Sequence, residues 1–226
     1  MSMRYFTKDF NQFFKDLSKN NNREWFDQNR SRYKESVKDP FEHFLTDLIG
    51  QIQSFDLELN VTPRDCMLRI NRDIRFSKDK TPYNTHHTAF VSTAGKKDKS
   101  MPGLFLRFGP DMVGIMGGCY MPSKGQLQNI RTSIADDPRQ LRSLIEAPGF
   151  VSKFGKIKGE EHKRIPKEFQ ASARDEPLIA KKQIYFMSEI SNDFVPTEKV
   201  LDVVMEYWHT ARPVNNYLKK SMNYGI

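Results

Sequence analysis

Between Arg69 and Tyr83 the sequence reads RINRDIRFSKDKTPY, which sets five cationic side chains, two aspartates and a phenol in one short segment. Guanidinium groups are planar forks that grip a phosphate or carboxylate through two parallel hydrogen bonds, so three arginines spaced by three point to anion binding. Arg69, Arg72 and Arg75 are the expected clamps, and Lys80 and Tyr83 stand at the rim. Asp73 lies between arginines and can orient them. If a reaction occurs here, Asp73 and Asp79 are the candidate catalytic carboxylates. Asp79 or a nearby histidine, His86 or His87, is the group to move a proton, because imidazole titrates near neutrality. No nucleophile is identifiable. The same charges also fit a competing account in which they neutralise one another as an ion-pair network that pins the chain.

Read with period two, residues 66 to 76 form a strand, with Cys66, Leu68, Ile70, Ile74 and Phe76 on one face and Arg69, Asn71, Asp73 and Arg75 on the other. Arg72 falls by parity on the apolar face, where a charge is costly unless paired, so a carboxylate partner is expected beside it. Ser77 to Tyr83 has turn composition, with Pro82 pushing Thr81 toward an extended conformation.

The spacing of Arg69, Arg72, Asp73, Arg75, Phe76, Asp79, Lys80 and Tyr83 resembles the signature of the bacterial DUF2461 family. So does the upstream run Asn21-Asn22-Arg23-Glu24-Trp25-Phe26 with Asn29 and Tyr33. The Gly-rich hairpin before Pro122 and the helix through Ile130-Arg131 extend the resemblance over nearly the whole chain. It implies a shared site in this segment but no established reaction, cofactor or partner. From the N-terminal helices, Arg23, Trp25 and Asn29 are the residues able to reach the basic strand, with Arg23 a candidate ligand contact.

These residues need a scaffold, and 226 residues suffice for a single domain over residues 1–226. The net charge of +8 keeps nucleic acid in view as a partner, although basic residues are dispersed among 28 acidic ones and no recognition-helix pattern occurs. The lysines at 96, 97 and 99 read as a hairpin tip. The absence of an 18-residue apolar run or a leader at the N-terminus predicts a soluble, cytoplasmic chain without membrane association. Cys66 and Cys119 lack metal spacing and read as buried thiols, while His86 and His87 are adjacent and point to opposite faces of a strand, so no metal site is expected. The stretch Met116-Gly117-Gly118-Cys119 lacks the spacing of a phosphate cradle.

The expected fold class is α+β: an antiparallel, meander-like sheet packed by helices from the N-terminal and C-terminal segments. Strands are predicted at 66–76, 86–93, 103–109, 112–120 and 183–189. Thr7 or Asp9, Asn22, Ser123 and Thr197 are predicted helix caps, as are the Asp-Pro pairs at 39–40 and 137–138. Arg131 projects from the helix opened by Ser123 and is expected at the surface or at the anion site. Residues 163 to 177 read as an irregular segment able to form a lid. The functional expectation is a small phosphorylated or carboxylated ligand held in a basic pocket; the alternatives are a nucleic-acid-binding module and a structural ion-pair staple.

Overall fold

The computed structural model describes residues 3–223. About half of the chain is helical, and four antiparallel strands form one sheet in the order β1-β2-β3-β4, which is the α+β meander expected. In chain order the elements are α1 (Lys8–Lys19), α2 (Arg23–Gln28), α3 (Arg30–Tyr33), a π-helical turn (Lys34–Lys38), α4 (Asp39–Gln53), α5 (Pro63–Cys66), β1 (His87–Val91), β2 (Leu104–Phe108), β3 (Met112–Cys119), α6 (Lys124–Asp136), α7 (Pro138–Ile145), α8 (Pro148–Phe154), α9 (Ser172–Asp175), β4 (Ile184–Ser191) and α10 (Val200–Met222). The chain divides into two compact units, one built from residues 3–96, 105–115 and 189–205, the other from 97–104, 116–188 and 206–223.

The first unit has an aromatic core. Thr7 accepts a hydrogen bond from Asp9 N and starts α1, whose Phe10, Phe13, Phe14 and Leu17 recur at three- and four-residue spacing and are buried. Asn22 caps α2 by accepting from Trp25 N at 2.9 Å. Phe6, Phe10, Phe41, Phe44 and Phe108 meet ring to ring, with centroids 4.6–6.3 Å apart. Such tilted and edge-on pairs bury large areas while aligning ring quadrupoles favourably. The predicted cap at Asp39 is not one. Residue 39 is helical, at φ −65° and ψ −44°, and its N–H bonds back to Lys34 O, so the helix entered at Arg30 runs through the π turn into α4 without a break. Lys96 is likewise not a loose tip: its ammonium donates to the carbonyls of Arg64 and Met67.

The second unit is packed mainly by aliphatic side chains around three phenylalanines in tilted and edge-on contact. Ile130, Ile134, Leu141, Ile179, Ile184, Val214 and Leu218 surround Phe150, Phe154 and Phe186. Ser123 and Gln126 form a reciprocal capping box at the start of α6, and Asp137 caps α7 ahead of Pro138. Gly118 has φ +90°, and any side chain there would collide with the backbone of Ile184 and Tyr185. Its N–H donates at 2.8 Å to the Asn215 side chain, so the glycine run before Pro122 lets backbone approach backbone. The irregular segment contributes Phe169 to this core.

Among the described residues no helix is long and apolar enough to cross a membrane, and no group of three or more His, Cys, Asp or Glu side chains is placed to hold a metal ion. Cys66 and Cys119 are free and buried, and burial pushes both thiols up to about 12.

Candidate functional site

The predicted strand over 66–76 does not form. Instead residues 67–72 lie antiparallel to 82–89 in a broken ladder. Met67 bridges Ala89, Asn71 bridges Tyr83, Leu68 N donates to Thr88 O at 2.9 Å, and Asn84 N donates to Ile70 O at 2.8 Å. The last rung is Arg72 N to Pro82 O at 2.9 Å. Beyond it the period-two pattern fails: Ile70 is buried, but Phe76, assigned by parity to the same face, is 95% exposed. Residues 73–81 are a loop because their polar groups bond to one another rather than to a neighbouring strand.

Arg72 organises that loop. Its guanidinium donates to Asp79 Oδ2 at 2.5 Å, to Thr81 O at 3.1 Å and to the Thr81 hydroxyl, with Ser77 Oγ at 3.5 Å. Asp79 is thus the carboxylate partner that the position of Arg72 demands. Asp79 also accepts from Thr81 N at 2.9 Å, and the Lys80 ammonium donates to Ile74 O at 2.9 Å across the loop. Arg75 turns to a different carboxylate, gripping Asp73 through Nε at 3.0 Å and a terminal nitrogen at 2.7 Å. Arg69 is exposed and acts on Asp73 through its charge. The expected clamp of three arginines around one guest is therefore replaced by two separate pairs.

Both carboxylates are held strongly ionised. The Arg75 side-chain hydrogen bonds, followed by its backbone N–H, bring Asp73 down to about 2. The Thr81 backbone N–H, then the Arg72 and Thr81 side chains, do the same for Asp79. The histidines move away from neutrality as well. Burial lowers His86 to about 4, with Arg107 adding repulsion, and lowers His87 to about 3. His87 accepts from Thr88 N through Nδ1 and stacks on Phe41 with centroids 4.6 Å apart, while its Nε2 is buried without a hydrogen-bond partner among the described residues.

The upstream motif meets this segment at its base. Asn21 donates to Tyr83 O at 2.9 Å and accepts from Tyr83 N at 3.1 Å, filling both backbone groups of one residue with one amide. Tyr83 was expected at the rim; its ring is instead buried, stacked on Phe26 at 4.0 Å. Tyr33 packs against Phe13 and Phe26, and Asn29 closes α2 by donating to Trp25 O. Arg23, at the first position of α2, is exposed. The loop leaves Arg75, Phe76 and Lys78 exposed, with the Arg75 guanidinium 5.9 Å from the Phe76 ring centre, and Arg69 is exposed in the ladder before it.

Sequence reasoning missed two placements. Asn21 was visible only as part of a motif, because its partner is 62 residues away. Arg131, expected at the surface or at the anion site, is only 6% exposed and donates to the carbonyls of Ile179 and Lys181. A signal for that existed: Leu127, Ile130, Arg131 and Ile134 recur at three and four residues, which puts Arg131 on the inner face of α6.

The site defines a class before it defines a chemistry: an α+β protein that builds an exposed basic loop on internal ion pairs and ties its base to an N-terminal asparagine. The chain belongs to DUF2461, a family of conserved hypothetical proteins, whose family model matches residues 9–217. No curated protein and no solved structure matches the chain.

Proposed function

We propose that this protein is a binding protein whose 72–82 loop recognises single-stranded nucleic acid by stacking on Phe76 and by contacts to phosphates from Lys78 in the loop and from Arg69 in the segment that precedes it. The observation that carries the reading is Phe76: a phenylalanine 95% exposed at the end of an internally braced loop, with a guanidinium beside its ring. Exposed aromatics with neighbouring cations are sequence-tolerant platforms for unstacked bases, and an ordered loop avoids part of the entropic cost of binding. The net charge of +8 adds a long-range attraction to polyanions.

Catalysis at this loop is less well supported. Asp73 and Asp79 are held ionised far below neutrality, and His86 and His87 are held neutral, so none is poised to exchange a proton at pH 7. A small phosphorylated or carboxylated ligand clamped by all three arginines is also less favoured, because Arg72 and Arg75 are committed to different carboxylates. A second reading, that the charges are only a staple, is favoured by the Arg72–Asp79–Thr81 bonds; those bonds account for Arg72 and leave Phe76 without a role.

Fluorescence anisotropy with labelled oligo(dT) and oligo(U) tests the proposal. Expected is affinity that falls steeply between low and moderate salt, with Phe76→Ala weakening it by roughly 1–3 kcal/mol. No binding at low salt, or a Phe76→Ala protein that binds as wild type does, overturns it and leaves the staple.

A further inference from the structure

The second unit contains an arginine handled quite differently from Arg72. Arg131 is buried, and among the described residues its guanidinium has no carboxylate partner: Nε donates to Ile179 O at 2.9 Å and a terminal nitrogen to Lys181 O at 3.4 Å. A buried cation supported by neutral carbonyls alone is costly, and an anion beside it would relieve that cost. The lone desolvation cause behind the lowered affinity of Arg131 for its proton agrees with this.

The neighbours are basic. Residues 160–162 pair antiparallel with 180–182: Glu161 bridges Lys181, His162 N donates to Ala180 O at 2.8 Å, and Lys182 N donates to Glu160 O at 2.7 Å. Because side chains alternate across such a pair, His162 and Lys182 share one face, and Lys181 with Glu161 takes the other. Arg131 reaches the carbonyl of Lys181, between them in sequence. The charges of Arg131 and Lys182 both bear on His162, adding to burial in holding its proton affinity down. Two carboxylates lie nearby, and one of them, Glu160, sits opposite Lys182 on the same face. Glu161 pairs with Lys181 at 2.9 Å, and Glu160 meets Lys182 at 2.8 Å in a pair exposed enough to exchange for another anion.

We infer that Arg131, His162 and Lys182 form a second site that binds a phosphate-type oxyanion. Arg131 supplies a fixed, dehydrated donor, and Lys182 and His162 approach from the paired segments. The site is independent of the loop around Phe76. Arg131 as a brace for the carbonyls around the 177–180 turn explains the two hydrogen bonds, but it does not explain why His162 and Lys182, which share one face of the paired segments, bring two further basic groups within its electrostatic reach.

The experiment compares inorganic phosphate with chloride at matched ionic strength, by calorimetric titration and thermal unfolding of the full chain, while NMR follows the His162 ring. Expected is saturable phosphate binding that raises the melting temperature and shifts the His162 signals. Lys182→Gln and His162→Gln, both at partly exposed positions, should keep the fold and weaken phosphate by about tenfold each. Phe76→Ala should bind phosphate as wild type does. Absence of saturable heat in the wild type, or variants at 162 and 182 that retain its full response, overturns the inference.

Discussion

Arg72 in the first unit and Arg131 in the second are both withdrawn from solvent, and they are stabilised in opposite ways. Arg72 is half-open, with 23% of its side chain exposed, and is surrounded by acceptors from its own loop, one of them a carboxylate. Arg131 is more deeply buried and, among the described residues, has carbonyl oxygens alone as partners. The difference teaches that clustered charge in a sequence is a poor guide to free binding capacity. Where acids and bases are interleaved, as between residues 69 and 80, they satisfy one another. An isolated arginine on an apolar helix face cannot be neutralised locally and keeps its capacity for a ligand.

The sharpest way to break this contrast is Arg131→Ala. It strands two buried carbonyls and opens a void, so urea unfolding should show a loss of about 2–4 kcal/mol. A loss below about 1 kcal/mol would place Arg131 with ordinary surface arginines. Arg72→Ala should cost less, about 1–2 kcal/mol, because solvent can reach the groups it leaves behind. It should also increase hydrogen exchange at Thr81 and Pro82-adjacent amides, which a loop ordered by other means would not show.

Asn21→Ala removes both side-chain bonds to the Tyr83 backbone and should cost about 1 kcal/mol, measured in the same way; stability equal to wild type would detach the upstream motif from the loop. The smallest effect is in acid. Asp73 and Asp79 have folded-state values of about 2, below the ordinary carboxylate range. Their contribution is therefore complete above about pH 4 and declines as pH falls toward 2. Carboxyl titration by NMR should place both midpoints near 2 in wild type and move that of Asp79 upward in Arg72→Ala.

Much of the scaffold was legible in the sequence. The stripes of α1 and α6, the caps at Thr7, Asn22, Ser123 and Asp137, and the alternation in β2 are local patterns that local physics enforces. The segment 66–76 misled because alternation is necessary for a half-buried strand but does not supply its partner. After Arg72 the loop's own side chains outcompete a ladder. Asp39-Pro40 misled because a cap and an interior residue share the same chemistry when a helix already arrives from upstream. The location of the charged segment was readable. What it could not disclose was which carboxylate each arginine would choose, since Asp73 and Asp79 are both within reach in sequence.

The π turn at Lys34–Lys38 has a consequence for how this helix can change. Tyr33, Val37 and Phe41 are spaced by four, and on a regular α-helix such a series rotates about 40° per step away from its starting line. The wider turn absorbs that rotation, so Tyr33 and Phe41 can both lie near His87. The segment thus works as a phase adjuster between two lengths of ordinary helix. A chain shortened by one residue there would still coil, yet it would put the two aromatic teeth out of step by roughly a quarter of a revolution.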